Sequence, residues 1–103
     1  MIPSKYPPRK SRLFPLGTIV GTPGALAACE EHHVSPNVLI LARHARGDWG
    51  DVDAEDAAAN EAAIRDGSRI LSAYTINHDH GVRLWVITEA DRSVTTILLP
   101  EEY

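Results

Sequence analysis

The sequence predicts a single α+β domain with its helices grouped before its strands. Two observations carry this. A short β-branched run is followed by three segments with helix start and stop signals, and the hydrophobic period then changes to strict alternation until the chain ends. Helices in a block followed by strands in a block argue for α+β rather than a parallel α/β sheet. The length of 103 residues suits one small domain, and a hydrophobic share of 44% beside 23% charged residues is enough for one core.

Residues 1–15 read as a basic, proline-rich tail ahead of a domain spanning 16–103. Pro3, Pro7, Pro8 and Pro15 interrupt any regular ladder, and the tail either stays unstructured or packs through Tyr6 and Phe14. Leu16–Gly21 is the first strand, because Thr18, Ile19 and Val20 suit a pleated surface. Thr22-Pro23 then opens a helix, with Thr22 as N-cap and Pro23 at the first helical position. That helix is expected to end near His33, with Leu26, Cys29, Ala25 and His33 on its inner face.

Ser35-Pro36 repeats the same signal. A second helix to about Ala45 would bury Val38, Leu39, Leu41 and Ala42 and stop at Gly47. Asp53 is the N-cap of a third helix over 54–66, rich in alanine, with Ala57, Asn60, Ala63 and Ile64 inward and Gly67 closing it. Ile70–Ile76 alternates strictly. A loop at 77–81 leads to the return strand Val82–Thr88, with Trp85 expected in the core. A turn at 90–93 leads to Val94–Leu99, ended by Pro100. The last three strands form an antiparallel meander, and the first strand joins its edge, giving about four strands with the helices on one face.

Charge is unevenly spread. Residues 1–15 carry +4 through Lys5, Arg9, Lys10 and Arg12, while 16–103 hold six arginines against fourteen acids, or −8. The acids concentrate between Asp48 and Asp66, where seven face Arg65 alone. A charge run usually solubilises a helix face. It can also steer association with a basic partner. On the second reading, Asp48, Trp49, Asp51, Asp53, Glu55 and Asp56 form the candidate partner-binding surface. Trp49, between two glycines, either plugs the joint between the second and third helices or stands exposed as an anchor. A net acidic domain makes a poor nucleic-acid binder, so such binding would rest on the basic tail.

Catalytic signals are weak. With one cysteine, Cys29, no intramolecular disulfide can form; Cys29 reads as a core thiol on a helix face. No GxSxG elbow and no HExxH motif occurs, and the glycines at 17, 21 and 24 lack the spacing of a phosphate loop. Five histidines, His32, His33, His44, His78 and His80, are read as exposed or capping groups, and no metal or other cofactor is expected. No membrane span and no secretory signal is legible, so reduced cytoplasm is the expected location.

An ordered series of residues also carries a family resemblance. It runs through Thr22-Pro23-Gly24-Ala25-Leu26, Arg43-His44, Gly47-Asp48-Trp49-Gly50, Asn60 and Leu71-Ser72-Ala73-Tyr74. It ends in Trp85-Val86-Ile87-Thr88-Glu89-Ala90-Asp91-Arg92-Ser93 and Thr95-Thr96-Ile97-Leu98-Leu99-Pro100-Glu101-Glu102-Tyr103. The series resembles a small family of bacterial plasmid- and prophage-related proteins, some described as type I restriction endonuclease subunit M, although nothing here resembles a methyltransferase. It spans about residues 16–103 and is most specific in the C-terminal half. The family is similar to a type II-A anti-CRISPR protein family. The resemblance implies a non-enzymatic inhibitor that binds the type II RNA-guided Cas nuclease and blocks DNA targeting or cleavage. A nucleic-acid-binding accessory protein of a plasmid or prophage is the alternative, and a small metal-dependent enzyme a more remote one. The resemblance supplies no catalytic residues.

Overall fold

The computed structural model describes residues 8–103. It confirms an α+β fold. Strand β1 (Thr18–Gly21) is followed by helix α1 (Pro23–Glu31), a wound segment over 38–46, helix α2 (Ala54–Asp66), and strands β2 (Ile70–Asn77), β3 (Val82–Thr88) and β4 (Val94–Leu98). The sheet order is β1-β4-β3-β2. β2, β3 and β4 form the expected antiparallel meander. β1 joins the far edge but runs parallel to β4, with Ile19 opposite Thr95 and Gly21 opposite Ile97.

Cross-strand register sorts the sheet into two faces. Ile70, Ser72, Tyr74, Leu84, Val86, Thr88, Thr95 and Ile97 are all buried on the face turned to the helices. Ala25 and Cys29 of α1 and Ala57 and Ala63 of α2 join the same core, with Leu39, Ile40, Ala45 and Trp49 between them. Burial pushes the Cys29 thiol up, as befits a core thiol.

Both helix starts follow the sequence. Thr22 Oγ1 accepts from Ala25 N–H at 3.2 Å, and Asp53 Oδ1 accepts from Asp56 N–H at 2.8 Å. The inner stripe of α2 is also as expected, while that of α1 is shifted. Leu26 is exposed, and His33 lies past the helix at φ 55°.

The second helix departs further. After one α-type turn it widens into a π-helix over Val38–Arg43, then tightens into a 3-10 turn over His44–Arg46. The changed winding rotates the buried face. Leu39 and Ile40 are buried, Val38 is exposed, and His44 is driven into the core. Irregular winding of this kind re-aims side chains that a uniform helix would place elsewhere.

The second half of the basic tail is part of the domain. Phe14 and Leu16 are core residues, and backbone bonds run from Arg9 N–H to Arg46 O and from Leu13 N–H to Ala45 O. Packing therefore extends into the expected tail, well before residue 16. Lys5 and Tyr6 lie outside the described residues.

Candidate partner-binding surface

The acidic corner between residues 48 and 61 is mostly scaffold. Arg43 Nε donates to Asp48 Oδ2 at 2.6 Å, and Gly50 N–H donates to Asp48 Oδ1 at 3.2 Å. The Arg43 guanidinium also lies 4.5 Å from the centre of the Tyr74 ring, whose hydroxyl donates to Asp48 O at 2.6 Å. Burial raises the Tyr74 phenol above its usual range. Asp48 itself is only 6% exposed. Trp49 has no exposed surface, and its Nε1–H donates to Glu61 Oε2 at 2.8 Å. The other Glu61 oxygen pairs with Arg9 at 2.7 Å. Asp48 and Trp49 therefore leave the candidate surface: the ion pair and the apolar joint between helical segments use them internally.

Asp51 has a different internal task. Thr75 N–H donates to Asp51 Oδ2 at 2.9 Å, Asp51 N–H donates to Ala73 O at 2.6 Å, and Ala73 N–H donates to Trp49 O at 3.1 Å. Further along the same edge, Asn60 exchanges a pair of bonds with the backbone of Leu71, at 2.8 and 3.2 Å. The free side of β2 is thus closed by the segment from Trp49 to Asn60. Gly50 sits against it so tightly, at φ 73°, that a Cβ would lie 2.0 Å from Ala73 O.

Asp53, Glu55 and Asp56 remain exposed at the start of α2. Their carboxylates suit the positive end of the helix dipole. Beside them a groove of about 410 Å³ is lined by Asp56, Ala59, Asn60, Arg69, Leu71 and Trp85. Trp85 was expected in the core. It stands instead half-buried on the opposite sheet face, in edge contact with Tyr103 at 5.7 Å between ring centres. Arg69 lies over the Tyr103 ring and donates to its hydroxyl. A second groove of about 610 Å³, lined by Ala28, His32, Arg83 and Leu99 among others, opens on the other flank of Trp85. In the alternation along β3, Trp85 falls on the side opposite Leu84 and Val86, and that is the sequence signal for this face.

The sheet's inner face carries a buried polar chain that sequence reading missed. Thr95 Oγ1 donates to Leu16 O at 2.7 Å, which uses its single proton. Thr88 must then donate to Thr95 at 2.7 Å, His44 Nε2–H to Thr88 at 2.9 Å, and Ser72 to His44 Nδ1 at 2.6 Å. One direction of donation satisfies every member, and it fixes the Nε2–H tautomer. Burial, with the Arg92 charge adding to it, holds the imidazole down at about 3, so the ring is neutral. Ser72 and His44 have the reach of a nucleophile–base pair, yet neither has any exposed surface. In this fold their bond joins the wound segment to the sheet.

The remaining histidines do not gather. His32 bonds Asn77 at 3.1 Å, while His33, His78 and His80 are exposed. Among the described residues no group of three or more His, Cys, Asp or Glu side chains could hold a metal ion. Nor, among them, is any helix long and apolar enough to cross a membrane. Lys10 and Arg12 are exposed, whereas Arg9 is tied to Glu61 and to Gly47 O at 3.0 Å.

Comparison with protein-family models, with curated proteins and with solved structures found no match.

Proposed function

We propose that this protein is a non-enzymatic inhibitor acting by protein–protein contact, with a type II RNA-guided Cas nuclease as its partner. The resemblance of residues 16–103 to plasmid- and prophage-related proteins supplies the partner class. The supporting observation is the exposed trio of Asp53 at the N-cap and Glu55 and Asp56 on the first turn of α2, beside the groove that Trp85 helps to line. Such nucleases hold guide and target in a positively charged channel. A carboxylate ridge set on a packed helix complements a basic surface with little ordering cost. The contact residues are then Asp53, Glu55 and Asp56, and the place of action is the bacterial cytoplasm.

The test is a DNA-cleavage assay with guide-loaded nuclease, titrating the full chain. Inhibition near equimolar protein is expected. The variant Asp53→Asn/Glu55→Gln/Asp56→Asn keeps an N-cap side chain and removes three charges; it should stay folded and inhibit at least tenfold less well. Full inhibition by the folded triple variant would remove this surface from the reading. No inhibition of any of several nucleases by the unchanged protein would remove the reading itself.

A nucleic-acid-binding accessory role is the second reading, favoured by exposed Lys10 and Arg12. It requires salt-sensitive DNA or RNA binding by the protein alone.

A further inference from the structure

The two edges of the sheet are treated in opposite ways. β2 is closed by side chains and backbone from Trp49 to Asn60. β1 is open. Thr18 N–H donates to Ser93 O and Thr22 N–H to Ile97 O, so the even-numbered residues of this parallel pairing face β4. Alternation therefore turns the N–H and C=O groups of Ile19 and Gly21 outward, away from β4. Exposed edges are ordinarily blunted by lysine, proline or a bulge. Thr18-Ile19-Val20-Gly21 contains none of the three.

Apolar side chains surround that edge. Ile19 and Val20 are each 42% exposed and Leu26 is 45% exposed, three of the five large hydrophobics exposed among the described residues. Leu26 approaches the Gly21 position from the helix side, which register assigns to Ile19 as well. No charge lies anywhere between Leu13 and Cys29, the longest uncharged stretch of a chain with net charge −4. Two copies carry like net charge, and this stretch brings no charged side chain of its own to a contact between them.

We propose that β1 pairs antiparallel with β1 of a second copy about a two-fold axis through Val20. In that register Ile19 meets Gly21 of the other copy twice, each pair exchanging two backbone hydrogen bonds, and the two Val20 side chains meet as a non-hydrogen-bonded pair. A centre one residue earlier would pair Gly17 with Gly21, but Gly17 has φ 65° and lies outside the strand. The strand is short, so the dimer is weak and concentration-dependent. This inference does not depend on the inhibitor reading.

Sedimentation equilibrium on the full chain tests it. The mass should rise from 11.3 kDa toward twice that value between about 1 µM and 1 mM, the range a weak interface occupies. Val20→Lys should remain monomeric throughout with an unchanged circular dichroism spectrum, since its backbone bonds to β4 do not involve the side chain. Val20→Cys should form an intermolecular disulfide on mild oxidation, because directly opposed strand residues lie within disulfide reach. Cys29 is 2% exposed and does not compete. A wild-type protein monomeric up to 1 mM would overturn the proposal. So would a Val20→Lys dimer as strong as wild type, or a wild-type dimer in which Val20→Cys fails to cross-link.

Discussion

His44 Nδ1 accepts the Ser72 hydroxyl proton at 2.6 Å, and this bond links the 3-10 turn at 44–46 to the middle of β2 with no water between them. It begins a chain of donors that crosses the sheet to Leu16. The chain contributes mainly by leaving no buried polar group unpaired, because an orphaned one costs roughly 1–3 kcal/mol.

The same ring sets the acid sensitivity of the fold. His44 is held at about 3 in the folded chain against 6.5 as its ordinary value. Below pH 6.5 the unfolded chain takes up a proton that the folded chain refuses, so stability is full above pH 6.5 and falls as pH drops towards 3. The slope contributed is about 1 kcal/mol per pH unit. His44→Gln retains a donor and an acceptor but cannot titrate. Urea unfolding between pH 5 and 7 should show a shallower dependence in this variant, and equal slopes would refute the assignment.

Two glycines of equal handedness should respond differently to alanine. Gly50 has φ 73° with Ala73 O in the path of a Cβ, whereas Gly67 has φ 79° and open space around it. Gly67→Ala should cost about 1 kcal/mol, the left-handed penalty alone. Gly50→Ala adds a backbone clash and should cost at least about 3 kcal/mol. Thermal melts of the two variants would check the order.

Deleting residues 1–15 should damage the fold, not merely remove positive charge. It takes away buried Phe14, whose ring stacks on Trp49 at 6.3 Å and stands edge-on to His44 at 5.4 Å. Loss of a buried phenylalanine costs roughly 3–5 kcal/mol. The appropriate probe of basic-arm function is Lys10→Glu with Arg12→Glu, which touches exposed side chains only. This double variant should melt within about 4 °C of wild type, while the deletion should melt far lower or not fold.

Local grammar was legible in the sequence wherever one residue decides a local geometry. Thr22, Asp53 and the alternation of Ile70, Ser72 and Tyr74 each announced the element later seen. The parallel pairing of β1 with β4 was not legible, because residues 18–21 and 94–98 meet only through tertiary closure. Nor was the π-helical winding at 38–43, where four apolar residues in succession, Val38, Leu39, Ile40 and Leu41, leave the helical phase undetermined. The acidic corner misled for a related reason. Composition counts carboxylates but does not say which ones cap, pair or seal an edge, so Asp48 and Asp51 resembled surface charge while serving the interior.

The closed side of β2 decides how far assembly can go. A sheet open at both margins is a template that each added copy renews, and fibres follow. Here Asn60, Asp51 and Trp49 occupy one margin within the same chain, so among the described residues only the β1 margin is left to pair. Joining two such margins consumes both and leaves none. On the proposed pairing the assembly stops at two copies, so an apolar edge left unpaired among the described residues does not seed a polymer.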